Sequence, residues 1–173
     1  MSLLRHAKII GFCALVAIAL PSCGFQPLHG PTASGQNLDD VLKSVEISTV
    51  PGRVGQRIRN ELIYGTMGGE RYGDVKPAFR LDLIVKEELR NTLIAQTGDP
   101  QGRIVEVNVE FKLVRLADNK TVFTGRTAGR AAYDKVPSVF ADVRAQVDAE
   151  NRAARTIAEN IKLRVSAYLS GNA

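Results

Sequence analysis

The stretch Val105-Glu106-Val107-Asn108-Val109-Glu110-Phe111-Lys112-Leu113 decides the fold. Apolar and polar residues alternate along it without a break, so an extended chain here is apolar on one side and polar on the other. Such a strand buries one face and wets the other, which is the mark of an antiparallel sheet covered on a single side. The same alternation precedes it, with Phe79, Leu81, Leu83 and Val85 set against Arg80, Asp82 and Lys86, and apolar character runs on to Ala95. Between the two lies Thr97-Gly98-Asp99-Pro100-Gln101-Gly102, a run of turn residues. Asp118-Asn119 suits a tight hairpin and leads into a further strand, Val122 to Tyr133. Phe123, Thr127 and Tyr133 share one side of that strand, and Arg126 and Arg130 the other.

Upstream, Val45 to Val50 alternates as a short strand and ends at Pro51-Gly52. Val54, Ile58 and Leu62 recur every four residues, which predicts a short amphipathic helix. Gly65 to Gly73 contains four glycines and reads as a loop. Downstream, Pro137 and Ser138 open a long helical segment, with Ser138 as its expected cap. Its expected apolar stripe is Phe140, Val143, Val147, Ala154, Ile157, Ile161, Val165 and Leu169. Some thirty residues of helix extend about 45 Å, enough to cross the whole sheet. The expected fold is therefore α+β, with two helices packed on one face of a four-stranded, mainly antiparallel sheet.

The chain has 173 residues, 45% hydrophobic and 24% charged, which suits one globular domain and excludes a disordered or collagen-like chain. Its N-terminus has its own logic. Arg5 and Lys8 precede an apolar run from Ile9 to Leu20. Twelve helical residues extend about 18 Å, short of the roughly 30 Å hydrocarbon core of a bilayer, so a signal peptide fits better than a membrane span. The run closes on Leu20-Pro21-Ser22-Cys23-Gly24, which resembles a bacterial lipobox. That resemblance implies cleavage before Cys23 and fatty acylation of its thiol and amine. Gly24 after the cysteine implies sorting to the outer membrane of a Gram-negative cell. The expected organisation is 1–22 as lipoprotein signal peptide, 23–43 as lipidated N-terminus and extended tether, and 44–173 as a single domain.

Processing removes Cys13, Arg5 and Lys8, so the formal charge falls from +5 to +3. A mildly basic protein outside the cytoplasm suits anionic lipid headgroups and not nucleic acid. Several acyl chains make the anchoring stable, since each buried methylene adds about 0.8 kcal/mol.

Catalysis finds little support. His29 is the one histidine after Cys23, and it lies in the tether, so neither a catalytic triad nor a transition-metal set is expected. Glu87 and Glu88 are neighbours on a strand and point to opposite faces, which makes them a poor candidate for a shared acid/base dyad. The glycines from 65 to 73 lack the Lys-Ser/Thr ending of a phosphate-binding loop. No enzyme activity and no cofactor are expected. The basic residues on the strands are either a solvated face balanced by Asp82, Glu87, Glu88, Glu106 and Glu110, or Arg forks able to grip phosphate.

The opening octet Cys23-Gly24-Phe25-Gln26-Pro27-Leu28-His29-Gly30 closely resembles the C-G-F-x-P-L-[YH]-G start of mature lipopolysaccharide-assembly lipoproteins of the LptE family. Arg57-Ile58-Arg59-Asn60-Glu61-Leu62 and the final helix ending Ala167-Tyr168-Leu169 are similar to that family in composition and order. His29 stands where the family commonly has Tyr. The resemblance implies two helices on a four-stranded sheet. It also implies a role plugging and helping to assemble the LptD outer-membrane β-barrel, and binding lipopolysaccharide on its way to the outer leaflet. No motif transfers a lipopolysaccharide-binding residue; Arg90 and Arg103, which flank the hairpin near Gly98, are the candidates read from their position. The alternative is a periplasm-facing carrier lipoprotein for a phospholipid or small-ligand transport system, which needs an enclosed apolar cavity between sheet and helices.

Overall fold

The computed structural model describes residue 35 and residues 37–68, 76–94 and 100–172. The expected signal peptide, Cys23, His29 and most of the expected tether lie outside the described residues, as do 69–73 of the expected glycine loop and the turn at 97–99. In chain order the elements are α1 (Leu38–Lys43), β1 (Val45–Ile47), α2 (Arg53–Met67), β2 (Phe79–Ile94), β3 (Pro100–Arg115), β4 (Lys120–Asp134) and α3 (Val139–Asn172). The four strands form one sheet in the order β1-β2-β3-β4. β1 runs parallel to β2, and the other two pairings are antiparallel. Fold class and strand count agree with the alternation read from the sequence.

Register explains the burial. Leu83, Phe111 and Gly125 stand in one row across β2, β3 and β4, and Leu81, Leu113 and Phe123 in the next. Val105, Val107, Val109, Phe111 and Leu113 are all at most 1% exposed beneath the helices. The helix face opposite them is built from Ala149, Ala153, Ile157, Ile161, Val165 and Leu169. Small residues set the spacing. A Cβ at Gly129 would lie 2.6 Å from the Ala153 carbonyl oxygen and 2.9 Å from Ile157 Cγ1, so α3 rests almost directly on the β4 backbone. At Gly125 a Cβ would come within 2.4 Å of the Phe111 ring, which occupies the room that glycine leaves.

Four expectations about the elements need correction. The domain begins before residue 44: Leu38, Val41 and Leu42 of α1 are buried in the core, because Asn37 turns the chain and lets this short helix lay its apolar side down. The β1 ladder stops at Ile47, yet Val50 stays buried, since α2 approaches it so closely that a Cβ at Gly55 would collide with the Val50 side chain. Gly65 is helical, because burial of Leu62 and Met67 outweighs the roughly 1 kcal/mol helix cost of a glycine. Helix α2 ends instead at Gly68, whose φ of 63° is left-handed and whose N–H donates to the Tyr64 carbonyl at 2.9 Å. Finally, α3 buries no large apolar residue in its first two turns. Phe140 and Val143 are 77% and 53% exposed, and the fully buried stripe starts at Ala149.

Candidate functional site

The polar face of the sheet carries no helix among the described elements, and its side chains come from the even-numbered positions of β2, β3 and β4. Register sets Glu88, Glu106 and Arg130 in one row. Glu106 sits between two arginines: Arg130 Nη2 donates to its Oε1 at 2.8 Å, and Arg90 Nε lies 3.4 Å from its Oε2. Arg90 also donates to Glu88 Oε2 at 3.0 Å. Under these two side chains Glu106 is only 7% exposed, on a face that is otherwise wet. The Arg130 hydrogen bond, helped by the positive charges of Arg130 and Arg90, holds the Glu106 carboxyl below its ordinary value. The bond to Glu88, with the negative charges around it, holds Arg90 more firmly protonated.

Further along the face, Arg126 pairs with Glu110 at 3.1 Å and Arg80 with Asp82 at 3.0 Å. Lys86 and Lys112 make no ion pair among the described residues. The twist of the sheet hollows this surface around Ile84, which is 53% exposed. One open depression of about 480 Å³ is lined by Lys86, Asn108, Arg126 and Ala128, and another of about 580 Å³ by Asp82, Lys112 and Thr124. Such a surface can bind non-covalently. Arg90 and Arg130 each have five N–H donors, and the pair to Glu106 leaves several of them free for an oxyanion.

The structure separates the two candidate residues. Asn91, not Arg90, lies opposite Arg103, so a one-residue offset sends Arg90 and Arg103 to opposite faces of the hairpin. Arg103 lies beneath the start of α3, donating to Asp142 Oδ2 at 3.1 Å and to the Tyr133 hydroxyl at 3.4 Å. The contact with Tyr133 raises its affinity for its proton. From there a polar chain continues: the Tyr133 hydroxyl donates to Gln146, Gln146 donates to Glu150 at 2.9 Å, and the buried Glu150 pairs with Arg53 of α2. Arg103 thus ties α3 to the sheet. Arg130 takes the place beside Arg90 that position in the sequence suggested for Arg103. The alternation put Arg130 and Glu106 on the polar face; only register made them neighbours.

Among the described residues no group of three His, Cys, Asp or Glu could hold a metal ion. Within the same residues no helix is long and apolar enough to cross a membrane.

No protein-family profile matches the chain, and no curated protein matches it. Solved structures do. A Caulobacter crescentus protein assigned as a lipoprotein is 25% identical, with a TM-score of 0.67 over 79% of this chain and 97% of its own. The minor lipoprotein of Acinetobacter baumannii is 14% identical, with a TM-score of 0.55 over 77% of this chain and 99% of its own. Rare lipoprotein B of Shewanella oneidensis is 16% identical, with a TM-score of 0.51 over 71% and 92% of the two chains. The chain shares its fold with these bacterial lipoproteins.

Proposed function

We propose that this chain is an outer-membrane lipoprotein, acylated at Cys23, that seats inside the LptD β-barrel, helps it assemble, and binds lipopolysaccharide during delivery to the outer leaflet. The observation that carries this reading is the uncovered sheet face, where arginines alternate with carboxylates around an open, partly apolar hollow. A surface of that kind suits the polar inner wall of a barrel, since its ion pairs can be exchanged for new ones at little cost. The lipobox and the opening octet support the anchor and the family resemblance. On this reading Arg90 and Arg130 meet lipid A phosphates, while Arg103 holds α3 in place.

The first test is affinity purification of the tagged full-length protein from detergent-solubilised outer membrane, with mass spectrometry of what accompanies it. A large β-barrel in near one-to-one amount is expected. Recovery of the chain with lipid alone would overturn the plug and favour a carrier. Arg90→Gln with Arg130→Gln keeps amide donors beside Glu106 and should weaken lipopolysaccharide capture in a variant shown by circular dichroism to be folded, and unchanged capture would remove both from the site.

A further inference from the structure

The edges of this sheet are finished unequally. Helix α3 runs along β4, and two of its arginines donate to β4 carbonyls, Arg152 to Ala132 and Arg164 to Arg126, each at 2.8 Å. On the opposite side, Arg59 of α2 donates to the Ile47 carbonyl of β1 at 3.2 Å. Among the described residues β2 has no such cover over most of its length. β1 pairs only with Phe79 to Leu81, and Ser48 ends the contact, its N–H donating to the Leu81 carbonyl at 3.1 Å and its hydroxyl to Asp82 Oδ1. Among the described residues nothing pairs with this side of β2 from Leu83 onward.

The Ser48 bond also gives the direction of the free groups. Since Leu81 points its carbonyl toward β1, the odd-numbered residues Leu83, Val85, Glu87, Leu89 and Asn91 point both N–H and C=O at the open side. That edge holds no proline and its ladder to β3 has no bulge up to Thr92, so of the usual devices against further pairing it has only its charged side chains, Lys86, Glu87, Glu88 and Arg90, which a partner must match.

The side chains along the edge specify the partner. An antiparallel two-fold axis through Leu89 sets Glu88 opposite Arg90 of the second copy, Arg90 opposite Glu88, Glu87 opposite Asn91, and Leu89 against itself. Axes through Lys86, Glu87, Glu88 or Arg90 each set a charge against its own kind, which is destabilising directly across a ladder. All the groups needed are accessible. Leu89 is 47% exposed, and the side chains of Glu88 and Arg90 are 56% and 61% exposed. We infer that the chain pairs with a second copy of itself along β2, antiparallel about a two-fold axis through Leu89, so that two four-stranded sheets become continuous. The pairing does not depend on the barrel reading.

Disulfide trapping tests this on the full-length, lipidated protein in detergent. Leu89→Cys places two thiols across the axis with Cα atoms about 5.5 Å apart, within disulfide reach. Mild oxidation should give a covalent dimer on a non-reducing gel, and Lys86→Cys and the unsubstituted protein should not. Charge reversal provides an independent variant. Glu88→Arg sets like charges opposite each other at two symmetric places and should raise the dimer Kd about tenfold in sedimentation, while Glu88→Arg with Arg90→Glu should recover most of that loss. A protein that stays monomeric at every concentration, equal trapping at residues 86 and 89, or trapping only to a different protein would overturn the proposal.

Discussion

One strand, β3, has two faces that obey different physics. Its odd positions from Val105 to Leu113 are at most 1% exposed and are held by shape, while Asn108, Glu110 and Lys112 on its other side stand in water. Glu106 belongs to the wet face by parity and to the dry one by burial, because two arginines cover it. The difference teaches where stability and recognition reside. The covered face cannot change without moving α3; the uncovered face can exchange every partner it has.

Five substitutions and conditions would break or sharpen that contrast. Phe111→Ala empties the space beneath α3 and should cost about 3–5 kcal/mol in chemical denaturation. Glu150→Ala removes a buried carboxylate from the covered side and leaves Arg53 and Gln146 without their acceptor. With Arg53 half exposed, the loss should be about 1–3 kcal/mol, measured the same way. Gly129→Ala forces a methyl against the Ala153 carbonyl and Ile157, and should also cost about 1–3 kcal/mol, with α3 losing amide-exchange protection first.

The uncovered face should respond mainly to pH. Glu106 has a folded value below its ordinary 4.5, so its ion pairs stabilise the fold above that pH, and their contribution disappears as the pH falls through the lowered value. Glu106→Gln should flatten the loss of stability with acid below about pH 4.5; an unchanged acid profile would deny the pair any role. Asp118, also lowered by its bond from Arg115, keeps part of the acid dependence in that variant. Smallest of all, Glu110→Gln breaks an exposed pair with Arg126 and should shift stability by under about 0.5 kcal/mol.

The legible part of this fold was whatever repeats locally. Alternation from Phe79 to Leu113 marked the strands, and Ile157, Ile161, Val165 and Leu169 marked the covered side of the last helix. Phe140 and Val143 continue the same spacing and are nonetheless exposed, since periodicity describes a face of a helix but not where its cover begins. Leu38, Val41 and Leu42 went the other way. Behind a stretch rich in Pro and Gly they read as tether, and they are core because α2 and α3 lie against them. The candidate site divides along similar lines. Arg90 was visible as a strand cation, but its company, Glu106 and Arg130, is sixteen and forty residues distant in sequence and meets it only through the ladder.

By itself the sequence determined the class of structure and the two characters of its sheet, because a side-chain period of two residues sorts apolar from polar without reference to anything distant. It also carried the lipobox resemblance from Leu20 to Gly24, which is legible without any fold. The tertiary structure alone decided register. It set Arg90 and Arg103 on opposite faces, buried Glu106 between two arginines, laid α3 on Gly129, and covered the β4 edge while leaving that of β2 open among the described residues. Each of these depends on how far one strand slides against another, and that is settled by the summed packing of both faces, which no local stretch contains.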